Sequence, residues 1–330
     1  MSKHILVSGG CGFVASHLCE HLLANTDWRI TVLDALTYAG DPARLYEAGK
    51  FDRSRVRIFW SDLNAPVMDT LSRKIGDVDF IVNMASNSHI DASIDDPVPF
   101  VKNNVNIALH TLDLARQCPN LKAFVQISTD EVYGSVKAGD VLSEWAPINP
   151  SNPYSASKGA QECIAIAFWR TYGVPMLICN PMNNFGERQD REKFVPKCVR
   201  AIAAGEEVIL HGTPDNIGSR YYLHARNTSD AILFLLNRPV TRYPDADRPD
   251  RYNVVGDRCV DNFEMATRIA SIMERPLRYS FDHNPRSRPG HDLHYGLDGS
   301  KLAALGWKPP VDFETSLERT VKWMLKNPCW

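Results

Sequence analysis

The segment ILVSGGCGFVASHLCEHLL, residues 5–23, constrains this chain more than any other. An apolar run, a cluster of glycines and then apolar residues at helical spacing read as strand, tight turn and helix. Gly10-x-Gly12-x-x-Ala15 matches the fingerprint of a dinucleotide-binding turn. In such a turn the glycines let the backbone approach a pyrophosphate, and the third position must be small for helix–strand packing. The phosphates would then sit at the helix N-terminus, where free N–H groups and the dipole favour an anion.

The first half of the chain repeats that unit. HILVSG, RITVLDA, VRIFWSDL, DFIVNMA and AFVQIST are short apolar runs separated by amphipathic stretches, among them a helical pattern over 99–117. A further helix is expected from Pro153, followed by the strand MLICNPM. This alternation predicts an α/β fold, a Rossmann-type doubly wound parallel sheet covered by helices. After about residue 180 the rhythm becomes irregular, with helical patterns at 193–204, 228–237 and 261–273 between Pro-rich stretches at 239–250 and 282–292. We therefore expect a NAD-binding domain over 1–180 and a smaller, mainly substrate-binding lobe over 181–330, with the chain free to cross between them.

RITVLD ends at Asp34, where a carboxylate can accept hydrogen bonds from ribose hydroxyls and repel a 2′-phosphate. NAD is therefore expected over NADP, unless Asp34 merely ends a strand at the surface. Asp62, after RIFWS, could similarly reach the adenine. The formal net charge of −2 gives no reason to expect nucleic acid or an anionic membrane as the main partner. No apolar run is long enough to span a bilayer and the N-terminus does not read as a secretory signal, so the cytoplasm is expected. The eight cysteines form no CxxC pair and read as reduced core thiols. His283, His291 and His294 fit no familiar zinc spacing, and no metal is expected.

The acidic pair in STDEVYG, Asp130 and Glu131, follows the strand AFVQIS directly. Ionised carboxylates are costly to bury, so they should lie beyond the strand's carboxyl end, where open parallel sheets bind ligands. They could also simply cap a turn. Tyr154 and Lys158, in YSASK, fall one turn apart on the helix after Pro153, so an ammonium could lower the phenol's pKa and hold a ribose hydroxyl. Tyr46 and Lys50 have the same spacing but no strand or turn arranged around them, and read as a surface coincidence. Thr129 can hydrogen-bond the reacting hydroxyl beside Tyr154.

With these motifs, the chain resembles the extended short-chain dehydrogenase/reductase family, specifically its dTDP-glucose 4,6-dehydratases. The resemblance runs through GGCGF, LTYAGD, SHIDAS, STDEVYG, PSNPYSASKGAQE, NNFG, REKFVP, YNVVG, RPGHD and LGWKP, nearly the whole chain. It implies that Tyr154 takes the sugar 4-OH proton, that Glu131 is the base at C5, and that Asp130 is the acid at the C6 hydroxyl. It implies a NAD contact set of Gly9, Gly10, Gly12, Phe13 and Val14 at the turn, Asp34, Asp62, Leu63 and Ala85 at later strand ends, and Tyr154 with Lys158. The implied substrate is a nucleoside diphosphate sugar, met by Ser88, Asn183, Lys193, Arg220, Asn253, Arg288, His291 and Tyr295, with Arg220 and Arg288 on the diphosphate. A homodimer is implied as well. The chain departs from the family pattern at Asn87 and Ala92, where Glu and Arg are usual, and in RYY at 220–222, where RDW is usual. Rival readings are a dehydratase acting on a UDP-sugar or stopping at a 5,6-alkene, an epimerase or decarboxylase, and a catalytically idle NAD-binding scaffold.

Overall fold

The computed structural model describes residues 2–240, 246–284, 290 and 292–330. Alternation of strand and helix gives a parallel sheet, as the sequence predicts, here of seven strands. Its strands are β1 (His4–Ser8), β2 (Arg29–Asp34), β3 (Val56–Trp60), β4 (Phe80–Asn83), β5 (Ala123–Ile127), β6 (Met176–Pro181) and the strand Asp250–Val254. Across the sheet the order is Asp250–Val254, β6, β5, β4, β1, β2, β3. Order reverses between β1 and β4, and that reversal opens a crevice at the strands' carboxyl ends.

Successive side chains of a strand face opposite sides, so each buried strand serves two cores. Ile5 and Val7 pack with Leu18 and Leu22 of helix α1 (Phe13–Asn25) and with Ile232 of the helix Ala225–Leu236. Leu6, between them, packs with Leu112 of the helix Pro97–Arg116 and Trp169 of the helix Pro153–Tyr172.

The division at residue 180 is not a clean cut. The chain leaves the sheet after β6, returns with the helix Ala225–Leu236 against α1, and adds its seventh strand at Asp250–Val254, which pairs parallel with β6. The smaller lobe is built from the helices Phe194–Ala204, Asn262–Ile272 and Phe313–Lys326, which share a core of Val195, Val199, Met265, Ile269, Leu317 and Val321. Beside them the strands Val208–Thr213 and Tyr279–Asp282 pair in parallel.

The seventh strand carries a buried ion pair. Arg251 of that strand meets Glu162 of the helix Pro153–Tyr172, with neither side chain more than 1% exposed. Arg251 also donates to the Glu144 carbonyl at 2.9 Å, and Asn180 donates to the other Glu162 oxygen at 2.8 Å. All eight cysteines are free. Cys11, Cys19, Cys179 and Cys198 are buried, but Cys163, Cys259 and Cys329 are exposed, so the expectation of core thiols does not extend to these three. Cys163 shows why: it lies on the outer face of an amphipathic helix, where an apolar-looking segment still has a solvent side.

Candidate active site

β1 ends at Ser8 and the chain turns through Gly9, whose φ of +69° favours glycine. A Cβ there would stand 2.7 Å from the Ala85 Cα and 2.9 Å from its backbone nitrogen, so strand β4's exit leaves no room for a side chain. Gly12 is the N-cap of α1, with no side-chain cap, which leaves the first-turn N–H groups facing the crevice. Gly10 does something else: a Cβ on it would press on Val32 of β2 at 2.6 Å, and Gly10 is not part of the cavity wall. The Asp34 carboxylate, at the end of β2, accepts from the Cys11 N–H at 2.9 Å and the Leu36 N–H at 2.8 Å. The acid is thereby fixed beside the glycine turn.

These groups form one end of a cavity of about 1370 Å³. It exceeds the ~300–1,000 Å³ of a usual single-ligand pocket, room for a dinucleotide and a second molecule. Phe13, Val14, Asp62, Leu63 and Ala85 line the same end. Thr129, Asp130, Glu131, Tyr154 and Lys158 also line it, as do Ser88, Asn183, Lys193, Arg220 and Tyr295. Asn253 lies elsewhere: buried in the seventh strand, its amide donates to the Leu142 and Asp298 carbonyls. Arg288 and His291 lie outside the described residues. Tyr46 is 52% exposed, packs on Phe51 and takes no part in the cavity wall.

Asp130 and Glu131 open a single 3₁₀ turn, Asp130–Tyr133, capped by the Thr129 hydroxyl. Val132 and Tyr133 anchor it by packing on Met182, Tyr295 and Leu297. With those two side chains held below, the carboxylates face the cavity, and the Asp130 Oδ2 has no hydrogen-bond partner among the described residues. The other oxygen, Oδ1, accepts from the Thr129 hydroxyl at 2.9 Å. Tyr295 Oη stands 3.5 Å from Glu131 Oε2, and its ring lies under the Arg220 guanidinium at 4.5 Å.

Both carboxyl groups are held above the usual carboxylate range, first by burial; for Glu131 the neighbouring Asp130 charge adds to it. Arg220 opposes the shift at both, and Lys193 opposes it at Glu131. Two such groups share their protons, so the pair titrates as a unit. Arg220 itself is anchored by donating to the Ser219, Leu293 and Asp292 carbonyls.

The helix Pro153–Tyr172 begins with Asn152 as N-cap, Ser155 closing a reciprocal capping box and Pro153 in the first turn. That places Tyr154 and Lys158 one turn apart over the carboxylates. The Lys158 Nζ donates to the Ile127 carbonyl at 2.7 Å and to Gln161 Oε1 at 2.8 Å. Burial pulls its pKa down to about 8, against the opposing charge of Glu162. The Tyr154 phenol, expected to be acidified by the lysine, is instead pushed up by desolvation and by the charges of Glu131 and Asp130, with only the Thr129 hydrogen bond acting the other way. The physical reason is that two carboxylates and a dry site outweigh a lysine with two of its three donors committed to Ile127 and Gln161.

Two residues of the wall do not stand out in the sequence. Ser128, between β5 and the acidic turn, has a buried hydroxyl without a partner among the described residues. Trp330 reaches the wall and donates to Glu47 at 3.0 Å. Asn152, outside the wall, caps the helix and donates to the Gly290 carbonyl at 3.1 Å, and its place before Pro153 is a signal the sequence does carry.

With this geometry in place, comparison with known proteins is informative. The chain is 35% identical over 325 residues to the low-salt glycan biosynthesis protein Agl12 of Haloferax volcanii, covering 97% of this chain and 98% of that one. It is 34% identical to a dTDP-glucose 4,6-dehydratase of Haemophilus influenzae, with 98% of each covered. Among solved structures it resembles DesIV, a dTDP-glucose 4,6-dehydratase from Streptomyces venezuelae with NAD and TYD bound, at a TM-score of 0.85 and 33% identity, covering 99% of this chain and 98% of that one. Residues 5–254 match the family model itself, so the chain belongs to the NAD dependent epimerase/dehydratase family.

Proposed function

We propose that the protein is a NAD-dependent nucleotide-sugar 4,6-dehydratase, a hydro-lyase, with dTDP-glucose as its substrate. The observation that carries this reading is the juxtaposition of Asp130 and Glu131 with Tyr154 and Thr129 in one cavity. An enzyme that only oxidises and re-reduces C4 has no use for a second acid and base on neighbouring carbons. The full-length likeness to dTDP-glucose 4,6-dehydratases supports the same conclusion.

The residues fit the dinucleotide. Gly9 makes a turn against Ala85 that no side chain could make, the start of α1 is uncapped, and Asp34 is held at the end of β2. Held there, NAD would supply the hydride acceptor for C4 and the hydride donor for C6. Gly9, Gly12, Phe13 and Val14 would meet the pyrophosphate, Asp34 the ribose hydroxyls, Asp62 and Leu63 the adenine side, Ala85 the turn's far wall, and Lys158 the second ribose.

Tyr154 Oη takes the proton of the sugar 4-OH, oriented by Thr129. Its raised pKa in the free protein leaves a demand for positive charge, which a cationic nicotinamide beside it answers. Once C4 is a carbonyl, the neighbouring C5–H is acidic, and Glu131 removes that proton. Asp130 protonates the C6 hydroxyl, which leaves as water. Carboxyl groups raised by burial, and at Glu131 also by the Asp130 charge, can hold one proton near neutrality, so a base and an acid are available together. Arg220 and Lys193 provide positive charge for the diphosphate; Ser88, Asn183 and Tyr295 supply polar contacts to the sugar side. Glu131 then returns a proton to C5 as C6 gains its hydride, the proton taken up at Tyr154 makes good the one Asp130 gave, and the product is the 4-keto-6-deoxy sugar.

We also infer a homodimer in the cytoplasm. Unpaired exposed thiols at Cys163, Cys259 and Cys329 suit a reducing compartment. The helices Pro97–Arg116 and Pro153–Tyr172 expose Val98, Leu109 and Tyr172, apolar surface that a second copy would cover. Incubation with dTDP-, UDP-, GDP- and CDP-hexoses, with loss of water followed by mass spectrometry, tests the assignment. Turnover of dTDP-glucose is expected; epimerisation without loss of water would refute it.

A further inference from the structure

Below the catalytic residues runs a set of polar side chains that the reaction above does not use. Ser8 of β1, Asn83 of β4, Gln126 of β5, Gln161 of the helix Pro153–Tyr172 and Asn104 of the helix Pro97–Arg116 are all fully buried. Amides in a dry core are costly unless both their ends are paired. Here Ser8, Asn83, Gln126 and Gln161 pair with one another in sequence and the chain ends on the Asn104 backbone carbonyl, the Asn104 amide itself being paired with Asn87 and Ser157.

The orientation of each member follows from its neighbours. The Lys158 ammonium has only donors, so Gln161 must turn Oε1 toward it, at 2.8 Å. Gln161 Nε2 is then left to donate to the Asn104 carbonyl, at 2.7 Å. Gln126 Nε2 donates to the Ile127 carbonyl at 3.0 Å and to the same Gln161 Oε1 at 3.1 Å. Its own Oε1 accepts from Asn83 Nδ2 at 2.9 Å, and Asn83 Oδ1 accepts from the Ser8 hydroxyl at 2.6 Å. The Ser8 oxygen finally accepts from the Met84 and Ala85 N–H groups, the segment against which Gly9 turns. Reversing the Gln161 or Gln126 amide would set donor against donor.

We propose that Gln161 is a positioning residue for the reaction, its carbonyl locked onto the Lys158 ammonium by a buried chain of amides that begins at the glycine turn. The inference rests on the reading of Lys158 as a catalytic residue. Gln161 touches neither cofactor nor substrate; it acts by fixing where the lysine points and how readily it keeps its proton. The groups around Lys158 are few. Glu162 lies on the same helix and is paired with Arg251 of the seventh strand and Asn180 of β6. Tyr154 lies one turn earlier, Asp130 and Glu131 project from the turn after β5, and β5 itself offers the Ile127 carbonyl. Of these groups, the ammonium donates to the Ile127 carbonyl and to Gln161.

The test reads Lys158 itself and needs no substrate. Protein carrying ¹³C at the lysine Cε positions is titrated by NMR, with the Lys158 signal assigned by its disappearance in Lys158→Met. Gln161→Met keeps bulk but removes the acceptor, so the Lys158 midpoint should fall by about one pH unit, the scale of a hydrogen bond to a charged group. Gln161→Glu is nearly isosteric and adds a negative charge, so the midpoint should rise. Gln126→Met cuts the chain but leaves Gln161 tied to Asn104, and should lower the midpoint by less. An unchanged midpoint in Gln161→Glu, or movement of both Gln161 variants in one direction, would overturn the proposal. If Gln161→Met fails to fold, Gln161→Glu still decides. Dehydration of dTDP-glucose by the unaltered protein is scored separately, so failure of the dehydratase assignment and failure of the Gln161 role give different results.

Discussion

Replacing Glu131 by Gln separates the two halves of the reaction and should have opposite effects on them. The substitution keeps the side chain's size, and so its packing beside Tyr295, but removes its basicity. Loss of a positioned base typically costs about 10²–10⁴-fold in rate, or about 2.7–5.4 kcal/mol of transition-state stabilisation. That loss should fall on elimination. Oxidation at C4 should become easier, because the Glu131 charge is one of the forces holding the Tyr154 phenol up. In a single turnover, Glu131→Gln should therefore accumulate reduced nicotinamide, visible by absorbance, while release of water is slow. In deuterated water the unaltered enzyme should place deuterium at C5, and the variant should do so far more slowly.

Stability gives an independent sign for the same residue. Both carboxyl groups are raised in the folded protein, so the fold retains a proton that the unfolded chain has already lost. Stability then falls as pH rises through and above the ordinary carboxylate range, because the buried pair is forced to ionise. Glu131→Gln removes that liability, so its gain in Tm over the unaltered protein should be larger at about pH 8 than at about pH 4.5. Dehydration at the unaltered rate by Glu131→Gln would refute the catalytic assignment, and a Tm gain confined to acid pH would refute the electrostatic one.

Tyr154→Phe should abolish C4 oxidation with folding retained by circular dichroism, while Tyr46→Phe, at an exposed position outside the cavity, should leave turnover within twofold. Gly9→Ala should lower the Tm, since a positive-φ alanine costs about 1–2 kcal/mol and its Cβ meets the Ala85 backbone, and should weaken NAD binding by calorimetry because the turn must shift to relieve that contact. Asp34→Ala should narrow the preference for NAD over NADP, measured by the same titration; equal preference before and after the change would remove Asp34 from the cofactor site.

The sheet was legible because β1, β2, β4, β5 and β6 are nearly unbroken apolar runs, which is how strands buried on both faces look, and β3, at the sheet's edge, keeps an apolar run as well. The seventh was not. Asp250–Val254 reads DRYNV, with an arginine at its second position, and its burial depends on Glu162 lying nearly ninety residues earlier. The helix Phe313–Lys326 also escaped, although Phe313, Leu317, Val321 and Met324 keep helical spacing on one buried face. At the site, Asp130, Glu131, Tyr154 and Lys158 stood out because polar groups at the end of a core strand or one turn apart on a helix carry their own explanation. Asn253 did not: a polar residue in an edge strand looks the same whether it meets a ligand or, as here, two backbone carbonyls. The state of Tyr154 is hidden from the sequence for a related reason. Spacing gives its proximity to Lys158, but the balance of charge depends on Glu131 and Asp130 arriving from another element.

The pairing of Arg251 with Glu162 also sets an order on how a newly made chain becomes an enzyme. Every side chain proposed to be catalytic has been synthesised by the time β6 is complete, yet Glu162 then faces the interior without its cation and the sheet still has an open edge beside β6. Synthesis must continue on the order of seconds before Arg251 is added. Until then the helix that carries Tyr154 and Lys158 lacks the partner that neutralises its buried acid. A ribosome-bound chain stopped before residue 250 should hold the full set of reactive groups and still be inert.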